Sequence, residues 1–139
     1  MKRLELENHA VEILPKLKLH EENVIEELVL CADNTRYITE IPKMDNNSLW
    51  IGKVKVLKLG NYTIGILPKL RIHEENVMEK FVLDAYWAEC IVEILEMENK
   101  SLRVGRVRKI KLTRHAKDIK SKLDFTEIAP DGQEVIGSG

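Results

Sequence analysis

Residues 13–30 read ILPKLKLHEENVIEELVL, and 53 positions later residues 66–83 read ILPKLRIHEENVMEKFVL. The same alignment continues without a gap to residues 59 and 112. A repeat of this length is one supersecondary unit, so it constrains the architecture more than any local propensity does. It implies a tandem duplication, with copies over about residues 1–53 and 54–106 and the start of a third at 107–123. The register also reaches outward: Lys2, Leu4 and Leu6 align with Lys55, Leu57 and Leu59, and again with Arg108, Ile110 and Leu112.

Turn chemistry punctuates both copies at matching places. His20-Glu21-Glu22-Asn23 returns as His73-Glu74-Glu75-Asn76, and Asp45-Asn46-Asn47-Ser48 as Glu98-Asn99-Lys100-Ser101. Asx side chains favour such turns by bonding nearby backbone or by tolerating positive φ. Residues 36–41 and 89–94 alternate in polarity as half-buried strands do, which predicts a strand at each. Residues 49–59 alternate too, but the phase switches at Gly52, and Gly105 repeats that position. A glycine inside a strand pattern marks a bulge, so this run is expected to be one bent strand serving two parts of a sheet. Pro15 and Pro68 interrupt a further apolar run and predict an edge or a bend. Residues 21–32 and 74–87 fit either a strand or a short helix, because their apolar positions satisfy both periods.

These patterns predict a mainly β fold in which residues 1–123 form a single domain of two intertwined repeats. The expected form is a small barrel or sandwich with pseudo-twofold symmetry, since closure removes edges that each half would expose. The alternative is an α+β fold with one short helix per repeat, near 21–32 and 74–87. Residues 124–139 are expected to form a C-terminal hairpin, with Ala129-Pro130-Asp131-Gly132 as its turn, followed by a flexible Gly-Ser-Gly tail. In TRHAKDIKSKL, residues 113–123, Ala116, Ile119 and Leu123 make one stripe of a short basic helix.

With 139 residues the chain is long enough to bury about 68% of the surface it exposes when unfolded, a core that needs no staples. Its 44% hydrophobic content, rich in Ile, Val and Leu, argues against disorder. Two cysteines at non-equivalent positions, Cys31 and Cys90, do not make a disulfide framework and read as reduced thiols. No apolar run approaches the roughly 20 residues of a membrane span, so a cytoplasmic protein without membrane contact is expected. The abundance of Lys, Glu and Ile beside a single Gln is a balance shared by thermophile proteins, AT-rich genomes and designs.

Candidate functional residues come from three places. The identical His-Glu-Glu-Asn turns pair His20 with His73 as candidate metal ligands, although a self-capped polar turn explains the same residues without an ion. Where the copies diverge most, CADNTRY becomes DAYWAEC, and Asp33 and Asn34 give way to Tyr86 and Trp87. Two large aromatics there imply either packing against the C-terminal segment or a partner surface, and Trp50, aligned with Arg103, poses the same question. Finally, residues 100–123 carry ten basic side chains against one acid, in a chain whose net charge is −1. That asymmetry makes Arg103, Arg106, Arg108, Lys109, Lys111 and Arg114 candidates for nucleic-acid contact, though no aromatics interleave them.

No nucleophile motif, phosphate loop or cofactor signature accompanies the four histidines, so no catalytic residue and no cofactor is assigned. The leading expectation is a protein-interaction or assembly module, binding a protein partner or a second copy of itself, with the basic segment steering an acidic partner. A nucleic-acid-binding accessory protein is the alternative, and a small metal-binding protein or enzyme built on the histidine turns is the third.

Overall fold

The computed structural model describes residues 1–134; the Gly137-Ser138-Gly139 tail and the end of the expected hairpin lie outside them. Among the described residues there are nine strands: β1 (Arg3–Glu7), β2 (Val24–Ala32), β3 (Leu49–Asn61), β4 (Leu70–Ile72), β5 (Val77–Met78), β6 (Lys80–Ala85), β7 (Leu102–Val107), β8 (Ile110–Arg114) and β9 (Leu123–Glu127). Helices are few and short: 3-10 segments, the longest over Asn8–Leu17, and one α-helix, Val92–Leu95. α and β structure are thus mixed, around a sheet of six strands in which β1-β2-β3-β6-β8 lie in chain order and β4 pairs with β3. A second sheet has the order β5-β7-β9.

Every strand pairing is parallel. The expected barrel is therefore overturned. Parallel neighbours need a crossover to bring the chain back, and here each return arm contains 3-10 turns, joined after β6 by the short α-helix. Successive strands add outward and the sheet stays open, with β1 and β8 at its edges.

Register fixes the size of each turn of the coil. Leu4 pairs with Leu28, Leu28 with Leu57, Leu57 with Phe81 and Phe81 with Ile110, steps of 24, 29, 24 and 29 residues. One 24-residue step and one 29-residue step together span 53 residues, the offset seen in the sequence. Segments one offset apart lie two strands apart in the same sheet with the same positions buried: Leu28 and Leu30 in β2, Phe81 and Leu83 in β6. They are related by stacking, so the expected pseudo-twofold arrangement is also not what the strands adopt.

Period-2 burial puts two apolar rows under the main sheet, Leu4-Leu28-Leu57-Phe81-Ile110 and Leu6-Leu30-Leu59-Leu83-Leu112. The return arms close the core from the other side with Val11 and Leu14, Ile38 and Ile41, Ile64 and Ile66, Ile91 and Ile94, and Ala116 and Ile119. Those last pairs recur at two to three residues, the spacing of a tight 3-10 turn. That is why residues 36–41 and 89–94, expected as strands, are instead 3-10 segments at Thr35–Tyr37, Ile41–Lys43 and Ala88–Ile91 running into the α-helix. The helix alternative near 21–32 and 74–87 is overturned as well, since β2, β5 and β6 occupy those segments. Pro15 and Pro68 lie inside 3-10 arms, where a missing N–H is tolerated.

The bent strand is present as the phase switch requires. β3 shifts register between Trp50 and Gly52, with Gly52 at φ 82°, and β7 does the same between Arg103 and Gly105, with Gly105 at φ 90°. Before the bulge β3 pairs with β4, and after it with β2 and β6. At the far end a turn forms over residues 129–132, where Gly132 N–H donates to Ala129 O, and Ile128 bridges Glu134 in the antiparallel sense.

Candidate functional site

The sequence candidates fall in two places at opposite ends of the main strands. The first is the rim where β1, β2, β3, β6 and β8 end. Asn8, Asn61 and Arg114 each take up φ 54° there, 53 residues apart, turning the chain from strand into return arm. With ψ −125° at Asn61 and −132° at Arg114 this is the first-position geometry of a type II′ turn, which Gly favours and in which Asn is also found. The Asn8 side chain accepts from Asp33 N–H at 3.1 Å and the Asn61 side chain from Tyr86 N–H at 2.9 Å. Asn61 also donates to the Asp33 carboxylate at 2.9 Å. These bonds stitch neighbouring turns of the coil together at the rim.

Tyr86 and Trp87 extend from this ladder and are 55% and 39% exposed, so they do not pack under the C-terminal segment. They are nevertheless held. Trp87 meets Tyr86 edge-on at 5.0 Å and stacks on Tyr62 at 6.5 Å, while the Arg114 guanidinium lies over the Tyr86 ring at 4.5 Å. Asp84 accepts from the Thr113 hydroxyl at 2.7 Å and lies 3.8 Å from Arg114 Nε. The result is a fixed aromatic ledge with a cation at its edge.

Beside it, the outer face of the main sheet grades from acid to base. One row reads Glu5, Val29, Lys58, Val82, Lys111 and the next Arg3, Glu27, Val56, Lys80. Arg3 and Lys58 both hold Glu27, at 2.8 and 3.3 Å, on the β1 side. On the β8 side Lys111 stands three residues before Arg114, while Lys80 begins β6 and Lys109 immediately precedes β8, at the end of the strands away from the rim. The other basic candidates lie elsewhere: Arg108 pairs with Glu79 at 3.4 Å and donates to Ala129 O, while Arg103 and Arg106 are on β7. The six do not form one track.

The second place is a cleft of about 520 Å3 lined by residues from β3, β4, β7 and the polar turns at both ends. It brings together Trp50 and Arg103, equivalent positions one 53-residue offset apart, and adds His73 from the second histidine turn. The Arg71 guanidinium lies over the Trp50 ring at 4.3 Å. Sequence reading missed Arg71, because an arginine inside the repeated LPKLRIH segment looks like an ordinary substitution of the lysine in LPKLKLH.

His73 does not meet His20. It gathers with Glu21 and Glu22 of the first histidine turn, their ligand atoms lying within 4.8 Å of one another. His73 Nδ1 accepts from Glu75 N–H at 3.0 Å. The hydrogen-bond network therefore assigns the neutral ring its proton on Nε2, the atom that faces Glu21 at 3.9 Å. A metal-binding imidazole instead offers a bare nitrogen and donates from the other one. His20 is held the same way, Nδ1 accepting from Glu22 N–H at 3.3 Å, so both histidines act as turn caps.

Neither thiol is poised as a nucleophile. Burial, followed by the carboxylates of Asp33 and Glu7, pushes Cys31 up to about 11. Burial pushes Cys90 up as well. Both remain neutral thiols near pH 7.

No helix among the described residues is long and apolar enough to cross a membrane. Comparison with family models, with curated proteins and with solved structures finds no match to this chain.

Proposed function

We propose that this chain is a protein-interaction module, with the Tyr86-Trp87 ledge as its main contact. One observation carries the reading: two large aromatic side chains are exposed yet immobilised by Tyr62, Arg114 and the Asn61 hydrogen bond to Tyr86 N–H. Ordering such side chains before binding removes much of the entropic cost of an interface, and Trp and Tyr dominate the energetics of interfaces that have been dissected. Arg114 at the ledge and Lys111 three residues before it on β8 favour an acidic partner and speed its approach.

The scaffold supports the same reading. We take the 53-residue repeat as a duplicated pair of coil turns, whose 24- and 29-residue steps, with a strand and a 3-10 arm in each, match leucine-rich-repeat dimensions. Stacked-coil proteins present extended surfaces and evolve binding by changing residues at fixed positions along them. Tyr86 and Trp87 are such changes, standing where the first copy has Asp33 and Asn34.

The test is capture of partners from the native host with the unmodified chain and with Trp87→Ala. The variant is expected to keep its melting temperature within a few degrees and to lose a partner by at least about 30-fold in affinity, the scale of a hot-spot truncation. An unchanged set of partners, or an unfolded variant, would remove the reading.

A further inference from the structure

The cleft that holds Trp50, Arg71, His73 and Arg103 is a break in the strand ladder. β4 pairs with β3 on one side, and among the described residues nothing pairs with it on the other. β7 pairs with β9 along its length, but on its opposite side β5 covers only Arg106 and Val107. Leu102, Arg103, Val104 and Gly105 of β7 and Leu70, Arg71 and Ile72 of β4 thus line one cavity with no ladder bonds between them.

The corresponding junction one repeat earlier is closed. A Cβ on Gly52 would lie 2.4 Å from Asn23 O and 2.7 Å from His20 O, because the first histidine turn packs directly on the bulge. At Gly105, by contrast, an added Cβ would meet nothing within 4 Å. The buried Asn76 side chain ties the second turn to β3, accepting from Val54 N–H at 2.9 Å and donating to Val54 O at 3.0 Å. With its turn anchored on β3, the second copy leaves the β7 bulge uncovered.

We propose that this opening takes an extended peptide segment as an added strand between β4 and β7, with an acidic side chain set against Arg71 and Arg103. Free strand edges bind peptides through main-chain hydrogen bonds, and pockets for alternate side chains set the sequence. Arg71, fixed by its stack on Trp50, keeps the edges of its guanidinium for a carboxylate. Beyond Ile72, at the C-terminal end of β4, the lining changes sign: Glu21 stands 3.9 Å from the Nε2–H of His73, and Glu74 lines the same end of the cleft. Side chains two residues apart share a strand face. A segment lying parallel to β4 therefore matches the cleft when its acidic residue is followed, two positions later, by a basic one. This site lies away from the aromatic ledge and does not depend on it.

Two pools of capped pentapeptides of equal composition test the proposal by calorimetry on the intact protein. One has Glu at position two and Lys at position four, the other the reverse, with Val, Ile, Thr or Tyr elsewhere. The Glu-first pool is expected to bind at least about tenfold more tightly, a difference of about 1.4 kcal/mol. Arg103→Ala, on an exposed position of β7, should erase that preference, Arg103→Glu should invert it, and N-methylation of the central peptide bond should abolish binding. Saturable binding of neither pool, equal binding of both, or survival of binding after N-methylation would overturn it. Binding of free glutarate as tight as that of the peptides would also do so, since it would assign the cleft to small anions.

Discussion

Asn23 and Asn76 occupy the same place in two identical tetrads, yet the fold gives them different work, and replacing each by alanine separates the two roles. Asn76 is 7% exposed and its carboxamide satisfies both backbone groups of Val54, itself 1% exposed. In Asn76→Ala both the N–H and the C=O of Val54 stay buried without a partner. At about 1–3 kcal/mol for each orphaned group the loss is about 2–6 kcal/mol, a large part of the stability of a domain this size. Asn23 acts through its backbone, its carbonyl accepting from Lys53 N–H at 2.7 Å, a bond that alanine retains. Asn23→Ala is therefore expected to cost less than about 1 kcal/mol. Urea unfolding followed by far-ultraviolet circular dichroism reads both. With an m-value of about 2 kcal/mol/M, a 4 kcal/mol loss moves the Asn76→Ala midpoint down by about 2 M while Asn23→Ala stays near the unmodified protein. If the two variants fall within about 0.5 kcal/mol of each other, the assignment of the Val54 bonds to Asn76 is wrong, and with it the explanation of why one junction opens.

Three further outcomes follow from other parts of the molecule. Gly52→Ala should destabilise by more than about 3 kcal/mol, since the new Cβ collides with two carbonyl oxygens at positive φ, whereas Gly105→Ala meets open space and should lose only the conformational cost of about 1–2 kcal/mol; equal melting temperatures would contradict the contrast. Burial alone would raise Glu12, but N–H donors from Thr39, Glu40 and Ile41 outweigh it and hold the carboxyl below its usual value. A depressed folded value means its stabilisation is present above the unfolded pKa of about 4.3 and is lost as pH falls through the folded one. Glu12→Gln should accordingly be less stable than the unmodified chain at pH 7, with the gap in urea midpoint narrowing toward pH 3; a gap independent of pH would exclude this role. Cys31, pushed up to about 11, should be alkylated by iodoacetamide at pH 8 roughly 100-fold more slowly than an unperturbed thiol; a rate matching that of the unfolded protein would refute its shielding by burial, Asp33 and Glu7.

Much of the local structure was legible in the chain. The phase switch at Gly52 marks the bulge in β3, and the Asn-rich turns fall where the chain reverses. The apolar-x-apolar pairs Leu4/Leu6, Leu28/Leu30, Leu57/Leu59, Phe81/Leu83 and Ile110/Leu112 also spell out every turn of the coil. They were hidden because the strongest identity compares every second turn. Sequence reading therefore found the double step and missed the single one, and a double step with a closed sheet looked as reasonable as a coil. Alternation misled at residues 36–41 and 89–94, where short polar–apolar runs satisfy a strand period and a 3-10 period equally. The aromatic ledge could be anticipated from divergence between copies. The cleft could not: the 53-residue offset relates Trp50 to Arg103, but it gives no sign that the two share a cavity with Arg71, which depends on where β4 and β7 fail to pair.

The alternation of 24- and 29-residue steps also governs how the chain can acquire its structure as a ribosome releases it. Along the path β1-β2-β3-β6-β8 each strand docks on one that emerged only 24 or 29 residues earlier, and no pairing on it waits for a distant segment. Once β2 has settled on β1, each newly exposed turn finds a finished template, so order can spread by accretion from the N-terminal side during synthesis. The most recently added edge is then always the reactive one. Its protection during translation depends on how soon the next turn arrives, which makes translation speed across residues 80–114 a variable on which the yield of folded protein depends.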